Sequence, residues 1–121
     1  MNGTLGLAML VGHLVGDYWV QNGWMAANKG KQVLPLLVHC SLYTAGCFLI
    51  MGAAGWWMPP LASGLVFVTH AALDGTGLVK EAWAMFNNDR AENCPLWLRI
   101  VMDNTIHLGT LLAAALLWYR P

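Results

Sequence analysis

The sequence predicts an all-α integral membrane protein, an antiparallel four-helix bundle folded as a single domain over residues 1–121. Hydrophobic residues make up 58% of the 121 residues and charged residues only 10%, whereas soluble domains carry about 25% charged residues. Between Lys31 and His70 the only acidic, basic or histidine side chain is His39. Such long uncharged stretches are typical of segments that lie in a bilayer, where charge is costly.

Four apolar segments are predicted to span the membrane, at about 5–20, 34–57, 60–80 and 97–119. The first is short for a hydrocarbon core of ~30 Å. A cleaved signal peptide is the alternative for that segment, and the absence of a preceding basic stretch disfavours it. Pro35, Pro60 and Pro95 fall near the starts of the other three, where a missing N–H is harmless.

The placement of basic residues predicts the orientation. Five of the six lie on or next to one side of the predicted bundle: Lys29, Lys31, Lys80, Arg90 and Arg99. Because cytoplasmic loops carry an excess of Lys and Arg, both termini are expected outside, in the periplasm if the membrane is a bacterial inner membrane. The six basic residues are balanced by six acidic ones. With no basic patch, nucleic acid is not an expected partner.

Small residues predict where the helices approach one another closely. The candidates are Gly12, Gly16, Gly46, Ala71, Gly75 and Gly109. Cys40 and Cys47 lie seven residues apart in an apolar segment, so we interpret them as small packing residues. The three cysteines include no CxxC pair, which disfavours a disulfide scaffold or a cysteine-based zinc site.

All four histidines and three of the six acidic residues fall inside the predicted spans. They form three i,i+4 pairs and one single residue: His13 with Asp17, His70 with Asp74, Asp103 with His107, and His39. Residues four apart share one face of a helix. The order is reversed in the last span, which runs the other way through the bundle. The acidic residues therefore come to one depth and the paired histidines to a second, ~6 Å deeper.

A cluster of imidazoles and carboxylates from four helices predicts a site for one or two divalent metal ions, with Zn, Mn or Fe as the candidates. The predicted metal ligands are His13, His39, His70, Asp74, Asp103 and His107. Asp17 is predicted to be catalytic, as a general base, with a ligand or a partner that orients a histidine as alternatives. The competing interpretation is a set of hydrogen bonds that fixes helix register. Haem would not explain three aspartates at one depth.

Two side chains continue these polar faces towards the cytoplasmic mouth, and we predict that both bind substrate. Gln21 would contact it directly, although an interfacial position is the alternative. Arg99 would pair with a phosphate or anchor the orientation. Lys29 and Lys31 are interpreted as orientation determinants or as contacts to anionic headgroups.

The same residues resemble a known family. The segments that carry the likeness are His13-Leu-Val-Gly-Asp17, Gln21, 26–29, His39 with Tyr43, His70-x3-Asp74 and Asp103-Asn-Thr-Ile-His107. Together they resemble small bacterial and phage membrane proteins grouped as domain of unknown function 3307, over nearly the whole chain. More distantly, the stretch from His70 to Gly77 is similar to a segment of membrane-bound metal-dependent hydrolases, with Thr76 one place early. That second resemblance implies hydrolase activity.

The function expected from these observations is hydrolysis of a lipid or lipid-linked (phospho)ester by a membrane-embedded metal site that opens to the cytoplasmic leaflet. The alternative is a non-enzymatic phage or bacterial membrane protein whose cluster is structural and which acts by protein–protein interaction. A metal transporter would need a polar path through 5–12 and 111–118, which are apolar. Expected partners are membrane lipid and, as an open alternative, a second copy or another membrane protein.

Overall fold

Helices account for about four-fifths of residues 3–120, the part of the chain that the computed structural model describes, and these residues contain no strand. The α-helices of this described part are α1 (Gly3–Leu14), α2 (Gly23–Asn28), α3 (Val33–Ala53), α4 (Pro60–Gly75), α5 (Leu78–Asn87) and α6 (Leu96–Trp118). A π-helix, Val15–Trp19, continues α1, and a short 3-10 helix, Ala91–Asn93, precedes α6. The all-α prediction is confirmed.

Two helices in the described part of the chain, α3 and α6, are long and apolar enough to cross a membrane. Their 21 and 23 residues correspond to about 32 and 35 Å of helix, enough for a bilayer core. The bent pair of α4 and α5 would add a third span if it crosses as one unit. Helix α1 has 12 residues and reaches the length of the predicted 5–20 segment only together with the π-helix. These features are consistent with a membrane protein.

The predicted span 60–80 differs from the structure because the chain breaks after Gly75. Thr76 is extended, with φ −130° and ψ 173°, and α5 leaves at 68° to α4. The Thr76 hydroxyl accepts a hydrogen bond from the backbone N–H of Leu78 at 3.3 Å. A hydroxyl that bonds a nearby backbone N–H stabilises a helix start, so this short link ends one helix and begins the next.

The end of α1 is wound more loosely than an α-helix. The backbone N–H of Val20 donates to the carbonyl of Val15 at 3.1 Å, which is the i→i+5 bond of a π-helix. This widened turn contains Gly16 and Asp17, both of which are buried. Asp17 therefore does not follow the regular α-helical register set by residues 3–14.

Helix α1 contacts α3 and α6, and α4 contacts the same two helices. The apolar core lies at one end of this group, in the first halves of α1 and α4 and the second halves of α3 and α6. Its buried members include Leu5, Met9, Cys47, Met51, Val66 and Leu111. The polar residues of the predicted metal site occupy the opposite halves of the same four helices, so the packing separates an apolar end from a polar end.

Glycines bring α3 against the end of α1. A Cβ added at Gly12 would lie 3.3 Å from the Cα of Cys47, and one at Gly46 would lie 3.7 Å from the Cα of Gly16. The close approach predicted at these three glycines is confirmed. The prediction is wrong at Gly109, where an added Cβ would meet no other atom of residues 3–120 within 4 Å. Cys47 is fully buried, which confirms its interpretation as a packing residue.

We expect Gly16→Ala to destabilise the fold. The new methyl group would lie 2.8 Å from Tyr43 Cδ2 and 3.1 and 3.2 Å from the Cα and carbonyl oxygen of Tyr43, so the α3 backbone itself would have to move. Overpacking of this kind costs about 1–3 kcal/mol. Thermal unfolding in detergent measures the effect, with Gly109→Ala as the matched control that should keep or raise stability. Equal stability of the two variants would contradict the close approach.

Candidate metal centre

Four donor atoms from three parts of the chain converge at the polar end. They are Asp17 Oδ1 from the π-helix, His39 Nε2 from α3, and His70 Nε2 and Asp74 Oδ2 from α4, all within 4.8 Å of one another. His39 Nε2 is 3.2 Å from Asp17 Oδ1, 3.0 Å from Asp74 Oδ2 and 2.9 Å from His70 Nε2. We call these four residues the first donor group. Both imidazoles are buried and both carboxylates are at most 5% exposed.

The spacing of the first donor group suits a tetrahedral ion. Zn–N and Zn–O distances of ~2.0–2.1 Å place two tetrahedral ligands ~3.3 Å apart. His70 Nε2 lies 3.4 Å from Asp74 Oδ2 and 3.8 Å from Asp17 Oδ1, close to that separation. Two imidazole nitrogens and two carboxylate oxygens form a donor set that zinc, manganese and iron all accept.

A second donor group shares an aspartate with the first. It consists of Asp17, Asp103 and His107, again with donor atoms within 4.8 Å of one another. His107 Nε2 lies 3.6 Å from Asp103 Oδ1 and 3.2 Å from Asp74 Oδ1. Asp74 thus places one carboxylate oxygen in the first group and the other against a histidine of the second. The two groups form one continuous centre, and its donor atoms are numerous enough for one ion or two.

A lysine that the sequence interpretation treated as an orientation signal belongs to this centre. Lys29 Nζ contacts Asp74 Oδ2 and lies 3.5 Å from Asp17 Oδ1 and 3.1 Å from His39 Nε2. Burial lowers the pKa of the Lys29 ammonium, but the two carboxylates raise it more, and the net shift is upward. Lys29 therefore carries a positive charge among the atoms that would ligate a metal.

Local structure explains how a loop residue reaches the centre. The side chain of Asn22 accepts a hydrogen bond from the backbone N–H of Met25 at 2.9 Å and caps the start of α2. Met25 is buried, and this short helix packs against α3. The backbone N–H of Lys29 then donates to the carbonyl of Met25 at 2.9 Å. The last turn of α2 thus directs the lysine inward.

His13 lies beside the two donor groups and belongs to neither. Its Nδ1 is 3.2 Å from the hydroxyl of Tyr43, and its Nε2 is 2.7 Å from Oδ1 of Asn104. Asn104 Nδ2 donates in turn to the Tyr18 hydroxyl at 2.7 Å. The Tyr43 ring stacks on His70, with centroids 3.7 Å apart. His13 and Tyr43 thus form a buried layer beneath the donor atoms that fixes the His70 ring.

The two predicted substrate-binding residues lie in different surroundings. Arg99 lines a cleft of about 780 Å³ that also exposes Asp74, Asp103, Lys29 and Lys80. Gln21 is not among its lining residues. The Oε1 atom of Gln21 is buried and has no hydrogen-bond partner within residues 3–120. The cleft therefore connects Arg99, but not Gln21, to the donor groups.

The chain matches a known protein family over nearly its whole length. The family model described as Protein of unknown function (DUF3307) covers residues 5–120. The chain belongs to this family. No curated protein and no solved structure matches it. The first resemblance predicted from the sequence is thereby confirmed, and the resemblance to membrane-bound metal-dependent hydrolases stays a prediction.

The structure brings together most of the residues that we predicted as site residues from the sequence. Six lie in the two donor groups: Asp17, His39, His70, Asp74, Asp103 and His107. Asp17, predicted as a catalytic base, contributes to both groups and lies where a ligand would. Lys29 also lies at this centre, and the sequence patterns did not predict it there. Its only sequence signal is its place in the 26–29 segment.

Proposed function

We propose that this protein is a metal-dependent hydrolase embedded in a bacterial inner membrane, with α1, α3, α4 and α6 as an antiparallel four-helix bundle and both termini outside. Its substrate would be an ester of a lipid or a lipid-linked molecule, reached from the cytoplasmic leaflet. The proposal rests on the first donor group, whose four buried donor atoms have the spacing of a tetrahedral metal site and whose Asp74 lines an open cleft.

The residues around the cleft supply the remaining chemistry. A divalent ion in this centre would polarise an ester oxygen and lower the pKa of a bound water. The side chain of Asp103 is 28% exposed and lines the cleft, so it is placed to accept a proton from an attacking water. Tyr43 and His13 hold His70 in place from below. Arg99 faces the same cleft and would hold the negative charge that develops on the substrate.

The metal content of detergent-purified protein, measured by mass spectrometry, tests the first step. We expect one or two equivalents of Zn, Mn or Fe in the wild type and the loss of at least one in His70→Ala, because His70 belongs to the first donor group. His13→Gln is the matched control, a buried histidine outside both groups, and should retain the metal. No metal in any sample would end the hydrolase proposal, and loss in both variants alike would place His13 among the ligands.

A structural role for the cluster is the second candidate, and one contact favours it. The Lys29 ammonium pairs with Asp17 and Asp74, so it partly neutralises these buried carboxylates without any metal. In this case the polar centre would fix helix register and the protein would act by binding another membrane protein or a second copy. The metal measurement separates the two candidates, since a centre closed by Lys29 alone would contain no ion in the wild type.

A further inference from the structure

The cleft beside the donor groups has a basic side. Its two cations belong to neither donor group and form no ion pair within residues 3–120. Lys80, from the first turn of α5, and Arg99, from the first turn of α6, both line it. Neither side chain has an ion-pair partner among residues 3–120, whereas Arg90 pairs with Glu92. Two unpaired cations from different helices that line one cavity attract an anion.

A bound divalent ion would make the surroundings of the cleft more positive. This part of the reasoning rests on the proposed metal centre. The three carboxylates of the donor groups, Asp17, Asp74 and Asp103, are matched in number by Lys29, Lys80 and Arg99. A divalent ion that takes the place of the Lys29 ammonium therefore still leaves an excess of positive charge at the cleft. Such an excess in a partly enclosed site favours a multiply charged anion over a neutral ligand.

The start of α5 adds to the same preference. Thr76, Gly77 and Val79 line the cleft together with Lys80, so the N-terminal turn of this helix faces the cavity. A Cβ placed on Gly77 would come 2.9 Å from Cε of Lys80, which shows that the lysine stem folds back over this turn. Free N–H groups and the dipole at a helix start favour phosphate and carboxylate groups.

The cleft also has an apolar part, which continues to the outer surface. Leu73, Leu96 and Ile100 line it, and Leu96 and Ile100 are 61% and 46% exposed. Their neighbours on the outer face of α6, Trp97 and Val101, are exposed as well. An anion held by the basic side could thus extend an attached hydrocarbon chain over α6 without leaving apolar surface.

We infer that the cleft binds the phosphate group of a phosphate-bearing amphiphile, with Lys80 and Arg99 on the phosphate and the α6 wall along the hydrocarbon chain. The volume of about 780 Å³ lies within the range of small-molecule sites, ~300–1,000 Å³. The phosphate would then lie next to Asp74 and Asp103, the two donor-group carboxylates that line the cleft. This deepens the proposed function by naming the charged group of its substrate.

Calorimetric titration of the detergent-purified, metal-loaded protein tests the inference with two probes, dihexanoylphosphatidic acid and inorganic phosphate, at constant ionic strength. We expect the lipid to bind at least tenfold more tightly than inorganic phosphate. Arg99→Gln and Lys80→Gln should each weaken lipid binding tenfold or more. Arg120→Gln is the matched control: it removes an exposed positive charge outside the cleft and should change binding less than twofold.

The outcomes separate this inference from the proposed function. Equal affinity for the two probes would assign the cleft to free phosphate and overturn the lipid assignment. Metal binding without lipid binding, or equal losses in all three variants, would overturn the anion site and leave the metal centre standing. If protein that contains no metal binds the lipid, and if this binding depends on Lys80 and Arg99, the anion site is supported and the proposed metal centre is not. Arg99→Lys, which keeps the charge, should recover part of the affinity if the arginine variant is folded.

Discussion

Asp74→Asn is expected to remove all bound metal and with it all hydrolysis. Asp74 places Oδ2 in the first donor group, 3.0 Å from His39 Nε2, and Oδ1 3.2 Å from His107 Nε2, so one side chain supports both parts of the centre. The amide has the same shape but one oxygen and no charge. Loss of a group that only orients a ligand lowers metal affinity ~10–100-fold, and loss of a ligand of the first group that also contacts His107 should exceed that.

The measurement is metal content and competition with a chelator, for Asp74→Asn beside Asp103→Asn. Asp103 is present in the second donor group alone, so its variant should lose no more than one equivalent and retain the ion of the first group. Elution volume and helicity of both variants serve as controls for folding. Wild-type metal content in Asp74→Asn would show that this carboxylate is not an essential ligand. Complete loss in both variants would indicate a single ion that requires Asp74 and Asp103 together.

The sequence predicts the α4 and α6 side of this centre well, because helical periodicity is a local property. His70 and Asp74 share a face of α4, as Asp103 and His107 share a face of α6. The reversed order of the second pair compensates for its opposite direction, as expected for helices that meet at one site. The separation of 37 residues between His70 and His107 is then closed by helix packing alone, to 3.2 Å between their Nδ1 atoms.

The same rule fails for His13 and Asp17, which are also four apart. The π-helix that begins at Val15 has wider turns than an α-helix, so the two side chains diverge. Asp17 enters the donor groups, whereas His13 turns to Tyr43 and Asn104. A π-helix has no clear sequence signal, and this departure from the predicted i,i+4 face was not accessible without the structure.

Lys29 was beyond sequence reasoning for a different reason. Its position depends on α2 folding back against α3, a tertiary contact that no periodicity encodes. The break after Gly75, in contrast, has a local signal in the Gly-Thr-Gly sequence of residues 75–77, since glycine is a strong local breaker of regular structure. That break matters for function, because it turns α5 aside and places Lys80 at the cleft.

Lys29→Met is expected to destabilise the metal-free protein and to strengthen the binding of a metal ion. The ammonium lies among Asp17, Asp74 and His39, the atoms that a divalent ion would need, so lysine and metal compete for one place. Without metal, the variant leaves two carboxylates without their cation. Removing one partner of a buried pair costs ~3–5 kcal/mol, and the 20% exposure of the Lys29 side chain should reduce that loss in unfolding free energy.

With metal, the same substitution removes a repelling charge and should raise affinity at least about tenfold, or about 1.4 kcal/mol. Thermal unfolding with and without chelator, together with metal titration, measures both effects. Lys31→Met, two residues further along and exposed, is the control that should alter neither. Lower metal affinity in Lys29→Met would show that the lysine holds the ligands in place instead of competing with the ion. A loss of stability with no metal bound in either protein would instead favour the purely structural role, in which Lys29 is the permanent counter-ion of the cluster.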